Sequence, residues 1–314
     1  MKKIFTTLAF LTLLCVGAVA QQPAQDKFPM VTIPESITEP VARASYLCEH
    51  YWDNVNFETI SDDVLEQGFV DMVSIFALID EATLSKAWTA AVARAEVSKS
   101  GIGRLLSVAD KYLYGVSSPN YNESAYRLLL QAALVSKKFS KAEKQPYQAQ
   151  LMQLEMNAEG TGAVDFEFTK ADGSKMKLSD VEAMITILFF FNPDCVDCRI
   201  ERFRLSQATL INYLQRAGGV QVVAIYPSND PAGFEKGSKE LPETWICGYD
   251  ASNRIKSEGL YDLRAMPRVY LLNDKKQVAL KNTTATKIET YLTEIMRSGS
   301  EAQQSEKSAA PAAE

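Results

Sequence analysis

Ile185 to Phe191 is a nearly continuous apolar run, and it leads through Asn192-Pro193-Asp194 into Cys195-Val196-Asp197-Cys198. Such a run fits a central strand covered on both faces, which demands packed elements on either side of it. The turn places the two cysteines at the start of a helix that carries Ile200, Phe203, Leu210, Ile211 and Leu214 and ends at Gly218-Gly219. Thiols spaced this way can close and reopen a short disulfide: one attacks a partner's disulfide and the other resolves the mixed disulfide. A helix N-terminus, with its unpaired N–H groups and partial positive charge, favours an anionic sulfur at Cys195. A reversible Cys195–Cys198 disulfide is therefore expected.

Other chemistries of a C-x-x-C pair fit less well. A c-type haem needs His after the second cysteine, and Arg199 stands there. A four-cysteine zinc site would need Cys48 and Cys247 to converge from far apart in sequence. A peroxide-reducing site of the P-x-x-x-T-x-x-C type would need Thr and Pro where Asn192 and Leu188 stand. A redox dithiol is the reading, with a structural disulfide as the alternative, and no metal or cofactor is expected.

The start of the chain bears on compartment. Lys2 and Lys3 precede an apolar run from Phe5 to Val19, and Ala18-Val19-Ala20 fits a signal-peptidase site. Residues 1–20 are expected to leave as a signal peptide, taking Cys15 with them and no membrane anchor remaining. The destination is the periplasm or cell envelope, where disulfides persist. The net charge of −6 becomes more negative once Lys2 and Lys3 are gone, which disfavours nucleic acid as a partner. A single histidine, His50, excludes His-based triads, and its apolar-rich surroundings favour a packing role.

Residues 38–158 read as an all-helical domain. Val64, Phe69, Met72, Val73 and Phe76 recur at helical spacing, as do Leu105, Leu106, Ala109, Tyr112 and Leu113. Further helices are expected over 83–98, 122–137 and 140–157, with Pro146 at a helix start or a kink. After Gly160-Thr161-Gly162 the pattern changes to alternation at Val164, Phe166 and Phe168, followed by a turn at Ala171-Asp172-Gly173. Beyond the cysteine helix come strands at Val220–Ile225, Thr244–Tyr249, Val269–Leu272 and Gln277–Lys281, and a closing helix from Lys287 to Met296. A strand–helix–strand unit followed by a hairpin and a final helix is a thioredoxin arrangement. The tail, residues 298–314, is rich in Ala, Ser, Glu and Gln and reads as disordered.

Residues 163–297 resemble the TlpA/ResA type of exported thiol–disulfide oxidoreductase. The similarity rests on Val164-Asp165-Phe166, Gly173, Leu178-Ser179-Asp180, the Cys195/Cys198 pair and Met266-Pro267 ahead of a strand. It implies an α/β thioredoxin-like fold, a mixed sheet flanked by helices, behind a separate all-α domain. It also implies that Pro267 is a cis-proline facing the dithiol, so that Met266 and Pro267 shape the groove for a substrate backbone. Glu201 fits a C-x-x-C-x-x-E pattern of ResA-type proteins and is placed to take the proton of Cys198 as that thiol attacks. The alternative for Glu201 is a solvated helix residue. Asp194 stands where the type often has an aromatic, and Phe189 where cytoplasmic thioredoxins bury an acid. Residues 38–150 resemble a helical domain of unknown function found ahead of such modules in bacterial envelope proteins.

Asp194 and Asp197 put negative charge beside Cys195 and oppose the helix N-terminus. A less stable thiolate means a more reducing couple, so a reductant or disulfide-exchange role on protein substrates is expected, supplied by an envelope electron donor. Two other readings use the same residues: a thioredoxin-fold scaffold whose helical domain recruits a partner and whose cysteines are structural, or an assembly factor with secondary redox activity. Cys48 and Cys247 read as buried free thiols, with an interdomain disulfide between them as the alternative.

Overall fold

The computed structural model describes residues 27–98 and 100–309, so the expected signal peptide and its Cys15 lie outside the described residues. The chain divides into two compact units, one ending at Ala109 and one starting at Asp110.

Among its described residues the first unit holds four α-helices, α1 (Pro40–His50), α2 (Asp62–Val73), α3 (Glu81–Ala95) and α4 (Gly101–Ala109). Their starts follow from local chemistry: Pro40 opens α1, and the side chains of Ser61 and Asp80 accept backbone N–H groups of Val64 and Thr83 to cap α2 and α3. Trp52, Phe57, Phe69, Met72 and Trp88 are buried together, and the Trp52 indole donates to the Met72 sulfur at 3.1 Å. Arg104 satisfies the carbonyls of Phe57 and Ile60 and pairs with Asp62 at 2.6 Å. The packing role expected of His50 gives way to a surface one. The ring lies tilted against Tyr46 and Nδ1 lies 2.7 Å from Asp53, because the helix ends there and leaves the ring at its rim.

The second unit begins with a π turn, Asp110–Tyr114, then α5 (Glu123–Leu134) and α6 (Lys141–Glu155). A capping box of Ser140 and Glu143 starts α6, and Pro146 sits inside that helix rather than at its start, on an exposed side. The residue texture changes near position 160, whereas compact packing divides the chain fifty residues earlier, between Ala109 and Asp110. The physical reason is a set of bonds from this helical stretch to the segments that flank the sheet strands. Lys281 pairs with Glu123 at 3.0 Å and donates to the Leu154 carbonyl at 3.0 Å, and Asn157 donates to the Leu260 carbonyl at 2.8 Å.

The sheet has seven strands in the order β2-β1-β5-β4-β3-β6-β7. They are β1 (Glu167–Lys170), β2 (Lys175–Lys177), β3 (Ile185–Phe190), β4 (Val220–Tyr226), β5 (Ile246–Tyr249), β6 (Arg268–Leu272) and β7 (Val278–Leu280). β3, β4 and β5 run parallel, and the remaining pairs are antiparallel. Alternate residues supply two cores. Ile187, Phe189, Val222, Ala224, Val269 and Leu271 face α7 (Val196–Gln207), α8 (Thr209–Arg216), α9 (Pro231–Ser238) and α11 (Ala285–Ala309). Leu188, Phe190, Val223, Ile225, Tyr270 and Leu272 face Phe166, Phe168, Tyr261 and Ile255 of the short α10 (Arg254–Ser257). The strand β1 starts later than the alternation from Val164, because the Val164 N–H is taken by the Asn157 side chain at 2.7 Å.

The single helix expected after the cysteines is two. The chain leaves helical geometry at Ala208 (ψ 112°), where the Leu210 N–H is taken by Glu289 at 3.0 Å and Asn212 donates to the Ser206 carbonyl. The closing helix also exceeds its expected bounds. It runs to Ala309, into the segment read as disordered, through Ala, Glu and Gln, which are good helix formers. No described helix is long and apolar enough to cross a membrane.

Candidate active site

β3 delivers the chain to the edge of the core, and the turn that follows is built by Asn192. Its side chain accepts the Asp194 N–H at 2.9 Å and its carbonyl accepts the Cys195 N–H at 3.1 Å. Cys195 is then the N-cap of α7, and its sulfur accepts the Cys198 N–H at 3.1 Å. Both cysteines are free thiols. Cys195 is half-buried, whereas Cys198 packs among Phe189, Phe191 and Val269 with 3% of its surface exposed. Burial pushes the Cys198 thiol well above its ordinary value, and the hydrogen bond with Cys195 and the charge of Asp197 add to it, against a bond to the Asn192 backbone. One sulfur is therefore presented and the other is kept protonated one turn inside.

Met266 and Pro267 arrive from the loop before β6. Their peptide bond is cis, and the Cys195 thiol donates to the Met266 carbonyl at 3.4 Å. A cavity of about 350 Å³ opens beside them, walled by Asp197, Glu201, Pro267, Arg268, Thr283 and Thr284.

Three acids of the sequence reading take different places. Asp194 pairs with Lys236 at 2.6 Å, and that bond and charge hold its carboxyl below the usual range. Its charge is thus partly neutralised by a residue forty-two positions away. Asp197 stays exposed at the mouth of the cavity. Glu201 is not a solvated helix residue. It is buried, its Oε1 accepts the Ala285 N–H at 2.5 Å, and its Oε2 lies 3.5 Å from Arg204.

Sequence reasoning missed the residues that hold the proline loop: Tyr114, Asp262, Arg264 and Arg268. Arg268 and Arg264 both bond the Asp262 carboxylate, at 3.1 and 2.8 Å. Burial alone would raise the Asp262 carboxyl, but the Arg264 hydrogen bond and the Arg268 charge hold it below the usual range. The one available signal was an acid and two arginines crowded into Asp262–Arg268, a stretch without an apolar period. Cys48 and Cys247 are free, and burial pushes their thiols up to about 12 and about 11.

Residues 5–157 match a domain of unknown function (DUF5106). The crystal structure of a thioredoxin-like protein from Bacteroides caccae superposes with a TM-score of 0.80 at 35% identity, over 86% of this chain and 99% of its own. The C-terminal domain of an uncharacterized protein from Bacteroides fragilis is 37% identical over 44% of this chain and 99% of its own (TM-score 0.43). A domain of a possible thiol-disulfide isomerase from Cytophaga hutchinsonii is 26% identical over 45% of this chain and 95% of its own (TM-score 0.37). No curated protein matches the chain.

Proposed function

Since the chain belongs to the thioredoxin-like proteins, we propose that it is an exported thiol–disulfide oxidoreductase of the TlpA/ResA type, acting on protein disulfides in the cell envelope. The observation that carries this is the half-buried Cys195 sulfur at the head of α7, hydrogen-bonded by the Cys198 N–H with the Cys198 thiol buried beside it. An anionic sulfur there is stabilised by the helix start and can attack.

In the reducing direction, the Cys195 thiolate attacks one sulfur of the substrate disulfide and expels the other as a thiolate. Cys198 loses its proton and attacks the Cys195 sulfur, releasing the second substrate thiolate. The substrate gains two electrons and, with two protons, becomes a dithiol; the enzyme becomes the Cys195–Cys198 disulfide. A dithiol protein of the envelope returns the two electrons. Glu201, on the turn of α7 after Cys198 and buried, is the carboxylate proposed to take the Cys198 proton.

A protein substrate fits the surroundings. Val196, Ile200 and Phe203 recur on one side of α7 and are 58%, 44% and 63% exposed, an apolar stripe that begins at the dithiol. Met266 and Pro267 supply the opposite wall, where an extended segment can pair its backbone. Burial of Cys198 and the nearby Asp197 charge both disfavour the dithiolate, which supports a reductant or exchange role over a strong oxidant. The test is turnover of insulin disulfides with dithiothreitol. Cys195→Ser should abolish turnover and Cys198→Ser should accumulate a mixed disulfide through Cys195, whereas full activity in Cys195→Ser would refute the assignment.

A further inference from the structure

The stretch from Asp262 to Pro267 has no helix or strand, yet it delivers the Met266 carbonyl to 3.4 Å from the Cys195 sulfur. A segment without ladder hydrogen bonds keeps one position only where side chains fix it. Two devices do so here. The buried Arg268 reaches back across six residues, donating from Nε to the Asp262 carbonyl at 3.0 Å and from Nη2 to its carboxylate at 3.1 Å. This ties the two ends of the loop together.

Arg264, in the middle of the loop, is gripped on both sides. Its Nε and Nη2 donate to the two oxygens of Asp262 at 2.9 and 2.8 Å, a two-pronged pair. Its guanidinium also lies 3.4 Å over the Tyr114 ring, and Nη1 donates to the Tyr114 carbonyl at 3.1 Å. Tyr114 is the last residue of the π turn, so its carbonyl has no partner further along the helix. Its ring stacks on Tyr126 at 4.9 Å, and the Tyr126 hydroxyl donates to Asp110 at 3.1 Å. The anchor for the loop is thus itself fixed.

We infer that Arg264 is a positioning residue of the redox site: held between Tyr114 and Asp262, it sets the Met266–Pro267 segment against Cys195 for pairing with an extended substrate. Tyr114 lies within the region matched by the domain of unknown function, which thereby contributes to the redox site. This inference rests on the oxidoreductase reading. Arg264 touches neither sulfur, so its effect falls on substrates that need the groove. A small disulfide needs only the Cys195 sulfur.

The test compares wild type, Arg264→Ala and Arg264→Lys as full chains, with dithiothreitol as reductant and either insulin or bis(hydroxyethyl) disulfide as oxidant. About 34% of the Arg264 side chain is exposed and Asp262 keeps its Arg268 partner, so truncation opens no core cavity and strands no buried charge. For Arg264→Ala the KM for insulin should rise about tenfold with kcat little changed, while kcat/KM for the small disulfide stays within about twofold of wild type. Arg264→Lys keeps the charge but not the fork or the flat stack, and should move the insulin KM in the same direction. Tyr114→Leu should do likewise, and combined with Arg264→Ala should add little, because the two act as one contact. Unchanged insulin kinetics in Arg264→Ala would overturn the inference, as would equal loss on both substrates with a lowered melting temperature. A wild type inactive on both disulfides would instead remove the oxidoreductase reading, and this inference with it.

Discussion

The buried carboxylate of Glu201 accepts the backbone N–H of Ala285 at 2.5 Å, joining the cysteine helix to the first turn of the last helix. An anion at a helix N-terminus satisfies one of its unpaired N–H groups and is favoured by the helix dipole. The same bond fixes an acid on the turn of α7 that follows Cys198.

Substitution separates the two consequences of that bond. Glu201→Ala leaves a buried N–H unsatisfied and should cost about 1–3 kcal/mol in chemical denaturation. Glu201→Gln retains an acceptor and should keep most of that stability, yet it cannot take a proton. In stopped-flow assays it should slow resolution of the mixed disulfide at neutral pH. A Gln variant with wild-type resolution would assign Glu201 to the fold alone.

Alkylation of the reduced protein should distinguish the two sulfurs. Cys195 is half-buried at the N-cap, and Cys198 is enclosed with its thiol held protonated. Brief treatment with iodoacetamide at neutral pH should label Cys195 about tenfold faster, since the thiolate is the reacting form. Peptide mass spectrometry reads the ratio; preferential labelling of Cys198 would reverse the roles.

Stability should fall on the alkaline side through buried thiols. Burial, with a contribution from Glu49, lifts the Cys48 thiol from 9.0 to about 12, so the folded chain keeps this proton after the unfolded chain has lost it. The contribution is fully present below pH 9.0 and is lost progressively as pH rises towards 12. Each such thiol steepens the decline by about 1.4 kcal/mol per pH unit. Cys48→Ala should be less stable at neutral pH because of the cavity it opens, but its decline above pH 9.0 should be shallower, as urea midpoints would record.

Gly237 is predicted to be sensitive for a steric reason. A Cβ there would sit 2.8 Å from both the Phe191 ring and the Pro193 ring, at the base of the cysteine turn. Gly237→Ala should cost about 1–3 kcal/mol by overpacking and lower insulin turnover by shifting the turn. Thermal melts together with kinetics check both effects.

What the sequence disclosed and what it hid divide by the range of the interactions. β3 was legible because a strand buried on both faces needs an unbroken apolar run, and Cys195 at the head of α7 because the turn residues stand beside it. Met266–Pro267 was found through resemblance to a family, and the bond is cis. The break at Ala208 was hidden because it depends on the bond from Leu210 to Glu289, seventy-nine residues apart. Lys236 beside Asp194 and Tyr114 beneath Arg264 were hidden likewise, since no local pattern in the chain marks a partner so distant.

The most direct test is the equilibrium of the Cys195 and Cys198 thiols in buffers of reduced and oxidised glutathione at pH 7, read by mass-tag counting of thiols. A reversible two-electron couple is expected, with both cysteines oxidised together, at a potential below about −220 mV. A Cys195–Cys198 disulfide that survives millimolar dithiothreitol in the native protein, or two thiols that never pair in oxidised glutathione, would contradict it.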